Sequence, residues 1–154
     1  MKIKKEQHDD RLIVQLQGPL ENSFDFERAI GPVKGELVLA CSGVPRINSE
    51  GVKAWIQYFE SLKEKGTQFS FIECSPAVVQ QISAISNFAC GGKVKSIQVP
   101  YVCTKCRHES VVLFETADLK KSGNSIPDTA CPKCGGQSVF DDVEEEFFAF
   151  LKRI

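Results

Sequence analysis

The chain of 154 residues has only two histidines, His8 and His108. Neither stands beside a serine or cysteine in a recognisable motif, which leaves a hydrolytic triad without support. Net charge is −1, and a chain so balanced offers no electrostatic case for nucleic acid. No apolar run approaches the ~20 residues that a membrane span requires. The first residues, Met1-Lys2-Ile3-Lys4-Lys5-Glu6, put charge where a signal peptide needs an apolar core. These absences predict a cytoplasmic protein with no membrane partner. Hydrophobic residues make up 42% and charged residues 25%, the ordinary composition of a globular chain.

What is present is cysteine, seven in all. An odd number without a secretory context does not describe a disulfide framework. Four of them form two knuckles, Cys103-Thr104-Lys105-Cys106 and Cys131-Pro132-Lys133-Cys134, with 24 residues between. Two cysteines separated by two residues turn both thiolates inward on one tight bend. Two such bends facing each other make a tetrahedral four-sulfur site, which predicts one structural Zn2+ on Cys103, Cys106, Cys131 and Cys134. A closed site of this kind has no open position for substrate, so it is a staple rather than a catalyst. The four thiolates complete the tetrahedron without His108. Cys41 and Cys74 end predicted central strands and read as buried thiols. Cys90, in Ala89-Cys90-Gly91-Gly92, reads as less protected.

The first two-thirds of the chain alternate strand and helix signals. Ile3–His8 and Leu12–Leu16 flank the turn dipeptide Asp9-Asp10, and Leu12, Val14 and Leu16 alternate with polar or outward residues. Asn22 and Ser23 offer caps for a helix carrying Phe24, Phe26, Ala29 and Ile30. Glu36–Cys41 reads as a central strand. Val52, Trp55, Ile56, Phe59 and Leu62 then recur at helical spacing, with Asn48 or Ser49 as the cap and Lys65-Gly66 as the stop. Phe69–Cys74 is another strand. Ser75-Pro76 starts a helix whose stripe is Val78, Val79, Ile82 and Ile85, and which Cys90-Gly91-Gly92 ends. From Ile97 the pattern changes to short strands around the knuckles. Residues 117–130 read as a loop. Asp141 or Asp142 caps a last helix whose Phe147, Phe148, Phe150, Leu151 and Ile154 must dock, either within the chain or on another copy in a homodimer.

The loop Gly43-Val44-Pro45-Arg46-Ile47-Asn48-Ser49-Glu50-Gly51-Val52 follows a buried strand and opens the clearest helix. Here the chain resembles the STAS family, named for sulfate transporters and anti-sigma factor antagonists, whose domains carry an Asp-Ser-Ser/Thr-Gly motif at this helix start. The resemblance covers residues 1–92, including Gly18-Pro19-Leu20, Leu37–Ala40 and Gly66–Ile72. It implies a surface at Asn48, Ser49, Glu50 and Gly51 for a protein partner of the anti-sigma factor or kinase type. It also implies that Ser49 is a phosphoacceptor. Asn48 stands where the family usually has aspartate, and Glu50 where it has a second hydroxyl residue. Two readings of Ser49 therefore stand, helix cap and phosphoacceptor.

The fold class expected is α/β. Residues 1–95 form a STAS-like mixed sheet with helices packed mostly on one face. Residues 96–154 form a zinc ribbon with a terminal helix. The expected function is a non-enzymatic regulatory protein-interaction module. Two other readings go with the knuckles. Lys105, Arg107 and Lys133 make a small basic tip, as in a transcription-associated nucleic-acid-binding zinc ribbon, although the surrounding segment is acidic. Cys-Pro-Lys-Cys-Gly-Gly is also similar to a rubredoxin knuckle, which would hold iron for electron transfer.

Overall fold

A computed structural model describes all residues, 1–154. It is a mixed α/β structure with two sheets, as expected. The first sheet has the order β1-β2-β3-β4-β5. Its strands are β1 (Lys2–His8), β2 (Arg11–Gln17), β3 (Glu36–Gly43), β4 (Phe69–Ile72) and β5 (Lys93–Val94). The β1–β2 pair is antiparallel, joined by the Asp9-Asp10 turn, and the remaining pairs are parallel. Parallel neighbours need crossovers, and helices supply them: α1 (Phe26–Ile30), α2 (Ser49–Glu64) and α3 (Pro76–Ala84).

The register explains which face is buried. Leu12 lies beside Leu37, and Leu37 beside Phe69. Val14 lies beside Leu39, Leu39 beside Phe71, and Phe71 beside Val94. These rows carry one apolar face, and the stripe of α2 closes on it with Trp55, Phe59 and Leu62. Trp55 stacks on Phe88 at 4.9 Å between ring centroids, and its indole N–H donates to the Phe88 carbonyl at 3.0 Å. A buried indole needs such a partner.

The second sheet has the order β7-β6-β9-β8, with β6 (Ser96–Cys103), β7 (Glu109–Glu115), β8 (Thr129–Ala130) and β9 (Gln137–Phe140). It joins the first where Cys74 and Ile97 form a parallel bridge; the Cys74 amide donates to the Ser96 carbonyl at 3.1 Å and the Gln98 amide to that of Cys74 at 2.8 Å. The 31-residue apolar cluster runs from Leu12 through both sheets to Leu151 without interruption.

Four local readings are corrected. The cap of α1 is Asp25, whose carboxylate accepts from the Arg28 amide at 3.0 Å, while Asn22 takes a left-handed φ of 59°. Helix α3 stops at Ala84, because Ile85 is extended and the following turn carries Phe88 under Trp55. Residues 117–130 are not all loop: α4 (Thr116–Lys121) buries Leu119, and the Thr116 hydroxyl donates to the Val94 and Lys95 carbonyls. The final segment is split into α5 (Glu144–Phe147), which has no side-chain cap, and a 3-10 turn at Ala149–Arg153. Its apolar residues are spaced by three, Phe147 with Phe150 and Phe148 with Leu151, and a three-residue turn puts such pairs on one face. That face docks on α3 of the same chain. The Ser83 hydroxyl donates to the Phe147 carbonyl at 2.7 Å and accepts from the Phe150 amide at 3.3 Å.

Candidate functional site

The start of α2 is built by a backbone clamp. The Leu20 amide donates to the Arg46 carbonyl at 3.0 Å, and the Asn48 amide donates to the Leu20 carbonyl at 3.2 Å. The turn Gly18-Pro19-Leu20 thus holds the loop that precedes the helix. Gly51 lies against this crossing, and a Cβ there would collide with the Leu20 carbonyl oxygen. This is why glycine stands third in the helix.

Asn48 is the cap: its side-chain oxygen accepts from the Gly51 amide at 2.9 Å. Ser49 is therefore the first helical residue. It is exposed, and its hydroxyl takes part in no hydrogen bond within the protein. Of the two sequence candidates for capping, Asn48 does the work and Ser49 is left free. Glu50 is exposed in the first turn, where its charge suits the helix dipole, and accepts weakly from the Ser23 hydroxyl at 3.5 Å. Arg46 pairs with Glu21 at 2.6 Å on the same surface, and that hydrogen bond holds the Glu21 carboxyl below its ordinary range. A groove of about 470 Å³ runs beside Glu50 between α1 and α2 and includes Ser23, Asp25, Lys53 and Tyr58. A cavity of about 660 Å³ lies elsewhere, beside Cys90 and Lys93.

The second candidate is the four-cysteine cluster. β6 ends at Cys103 and β7 begins at Glu109, so a hairpin carries the first knuckle. The second lies between β8 and β9. Pairing of β6 with β9 brings Cys103 opposite Ser138 and so brings the knuckles together. The Cys103 and Cys134 sulfurs are 3.5 Å apart, those of Cys106 and Cys131 are 3.7 Å apart, and all four lie within 4.8 Å of one another. A tetrahedron with arms of ~2.3 Å has edges of ~3.8 Å, so the sulfurs can hold one metal ion with little adjustment.

Backbone amides already point at the sulfurs. Those of Lys105 and Cys106 donate to Cys103 Sγ at 3.4 Å, that of Lys133 to Cys131 Sγ at 3.4 Å, and that of Gly136 to Cys134 Sγ at 3.3 Å. The Cys106 amide, then that of Lys105 with the neighbouring sulfurs, pulls the Cys103 thiol down to about 6, although desolvation opposes this. Cys106 also gains from an amide, at His108, yet burial and the three neighbouring sulfurs drive it up to about 11. Four adjacent sulfurs cannot all ionise unless a cation joins them.

The knuckles share one turn. Gly135 takes φ 75° after the second, and Arg107 takes φ 64° after the first, where glycine is missing. Sequence reasoning did not single out Gly136, over which a Cβ would crowd the Cys134 and Cys103 sulfurs at 3.2 and 3.3 Å. The Gly-Gly pair after Cys134 was the signal.

His8 and His108 lie apart from any nucleophile pair: His8 sits at the β1 end beside Glu6 at 3.4 Å, and the His108 carbonyl bonds the Cys103 amide at 2.9 Å. Cys41 and Cys74 are both fully buried, and the nearby Cys74 thiol, together with burial, pushes the Cys41 thiol well up. Cys90 is buried rather than exposed, and burial pushes its thiol up to about 12. No helix is long and apolar enough to cross a membrane.

A family profile described as STAS domain matches residues 2–90. No curated protein is significantly similar to the chain. Domains of this kind are generally non-enzymatic and typically mediate contacts between proteins. The match spans more than half of the 154 residues and takes in every strand and helix that builds the α2 clamp, so the chain belongs to the STAS domain family.

Proposed function

We propose that the protein is a cytoplasmic regulatory switch of the anti-sigma factor antagonist type, acting on transcription through a protein partner. Its contact surface centres on Asn48, Ser49, Glu50 and Gly51, with the loop from Ser42 to Ile47 beside it. Ser49 is the phosphoacceptor for a kinase-like partner. The observation that carries this reading is the division of labour at α2. Asn48 satisfies the helix end, so the exposed Ser49 hydroxyl is free for chemistry. A phosphate there gains from free N–H groups and the helix dipole, while its charge, next to Glu50, opposes an acidic or apolar partner. The four cysteines hold one zinc, which ties the β6–β7 turn to the β8–β9 turn within residues 96–154 and does no chemistry.

The test is the mass of the intact protein purified from its native host, under native and denaturing conditions, followed by peptide mapping. One zinc and a phosphate on Ser49 are expected. A protein that carries no phosphate under any growth condition overturns the switch and leaves a constitutive binding module. Iron in place of zinc, visible as colour, overturns the staple.

A further inference from the structure

Two long strands lie at sheet edges, β1 and β7. An open edge invites another strand, and proteins commonly blunt it with charge. β1 is blunted in this way by Lys2, Lys4, Lys5 and Glu6. β7 is not. Its outward side chains are Glu109, Val111, Leu113 and Glu115, with Val111 48% and Leu113 51% exposed.

The backbone of the same residues is free. In an antiparallel pair, alternate residues exchange hydrogen bonds with the neighbouring strand. The Cys103 amide donates to the His108 carbonyl at 2.9 Å, which sets the phase: residues 108, 110, 112 and 114 face β6. Pro100, opposite Val111, has no N–H and fits the unbonded positions. Glu109, Val111 and Leu113 thus aim their N–H and C=O groups outward, and no loop, turn or side-chain group meets them. Beside Val111 lies a cavity of about 450 Å³, lined also by Val44, Pro45, Pro76 and Ala77.

From this edge we infer a second docking surface, which adjoins the Ser42–Ile47 loop without using Ser49 and at which β7 takes up an extended segment of a partner as an added antiparallel strand. Main-chain hydrogen bonds supply the affinity and alternate side chains the choice of partner. The outward row reads acidic, apolar, apolar, acidic, and neither glutamate is ion-paired within the chain. A second copy paired along the whole strand would set Glu109 against Glu115 twice, and like charges opposite each other are unfavourable. The complementary occupant is a partner segment whose alternate residues read basic, apolar, apolar, basic. One of its apolar side chains has the cavity beside Val111 to enter.

The probe is the blocked peptide Arg-Thr-Val-Thr-Val-Thr-Arg, titrated calorimetrically into the metal-loaded full chain. Two further peptides serve as comparisons, one with glutamate at both ends and one N-methylated along the edge that faces β7. Binding at one peptide per chain is expected, with the glutamate-ended peptide at least about tenfold weaker and the N-methylated one silent. The double variant Glu109→Lys/Glu115→Lys should reverse the order of the two charged peptides, which also shows that the variant is folded. Equal affinity for the arginine and glutamate peptides overturns the inference. So does undiminished binding of the N-methylated peptide, or a dimer of the free chain that Leu113→Asp dissociates.

Discussion

Asn48 and Ser49 are adjacent and polar, yet they differ in what removing them should cost. Asn48→Ala deletes the bond to the Gly51 amide and should lower stability by about 1 kcal/mol. Ser49→Ala deletes a hydroxyl with no partner and should change stability by less than about 0.5 kcal/mol. Urea midpoints of the two variants decide between them, and a Ser49→Ala cost equal to that of Asn48→Ala would return Ser49 to the role of cap. Gly51→Ala places a Cβ on the Leu20 carbonyl and should cost about 1–3 kcal/mol through displacement of the clamp. Arg107 pays the cost of a left-handed φ that Gly135 does not. Arg107→Gly should therefore leave metal affinity intact and raise stability, by less than the ~1–2 kcal/mol of the left-handed penalty, because the unfolded chain gains freedom. Two buried groups set a pH limit. Desolvation raises Cys90 from 9.0 to about 12 and Tyr58 from 10.0 to about 12, with Glu60 and Glu27 adding to the respective shifts. Each is held neutral in the folded chain, so its contribution is full below the unfolded value and lost as pH rises. Chemical-denaturation midpoints should fall between about pH 9 and 12, and a flat profile there would mean that neither group is held neutral by the fold.

At the scale of the element, the knuckles and the terminal segment depend on what they touch. The strands β8 and β9 are two and four residues long, too short to hold the knuckles apart from metal. A chelator should therefore remove hydrogen-exchange protection from the knuckles and the β6–β7 turn, while amides of β2, β3 and β4 stay protected. Uniform loss over both sheets would show that the metal holds the whole chain. The segment α5 to Arg153 is not an independent helix. Its aromatic groups pack on α3, and Ser83 bridges the Phe147 carbonyl and the Phe150 amide. Ser83→Ala leaves two buried backbone groups unpaired and should cost about 1–3 kcal/mol. A thermal melt checks this, and an unchanged midpoint would mean that the segment is held by its apolar contacts alone.

At the scale of the whole molecule, one apolar cluster crosses the junction at Lys95-Ser96. We propose residues 1–95 and 96–154 as two structural parts that share this core, and a single urea transition seen alike by fluorescence and circular dichroism is expected; two resolved transitions would separate them. The sequence by itself determined the elements that announce themselves locally. The period of two in β2, the stripe from Val52 to Leu62, the Ser75-Pro76 start and the two Cys-x-x-Cys bends each need only residues close in the chain. The α2 motif was legible for the same reason, since cap, serine and glycine fall within four residues. Tertiary structure decided the rest. Helix α4 exists because Thr116 bonds the end of the first sheet and Leu119 enters the shared apolar cluster, and its own six residues carry no helical stripe. The last helix became a short α turn and a 3-10 turn because residues spaced by three had to meet α3. Which of Asn48 and Ser49 caps α2 was settled by the crossing of residues 18–20 over Gly51, and the open edge of β7 by the order of strands in the second sheet. Such choices rest on contacts between residues far apart in sequence, and a local pattern holds no record of which distant group will arrive.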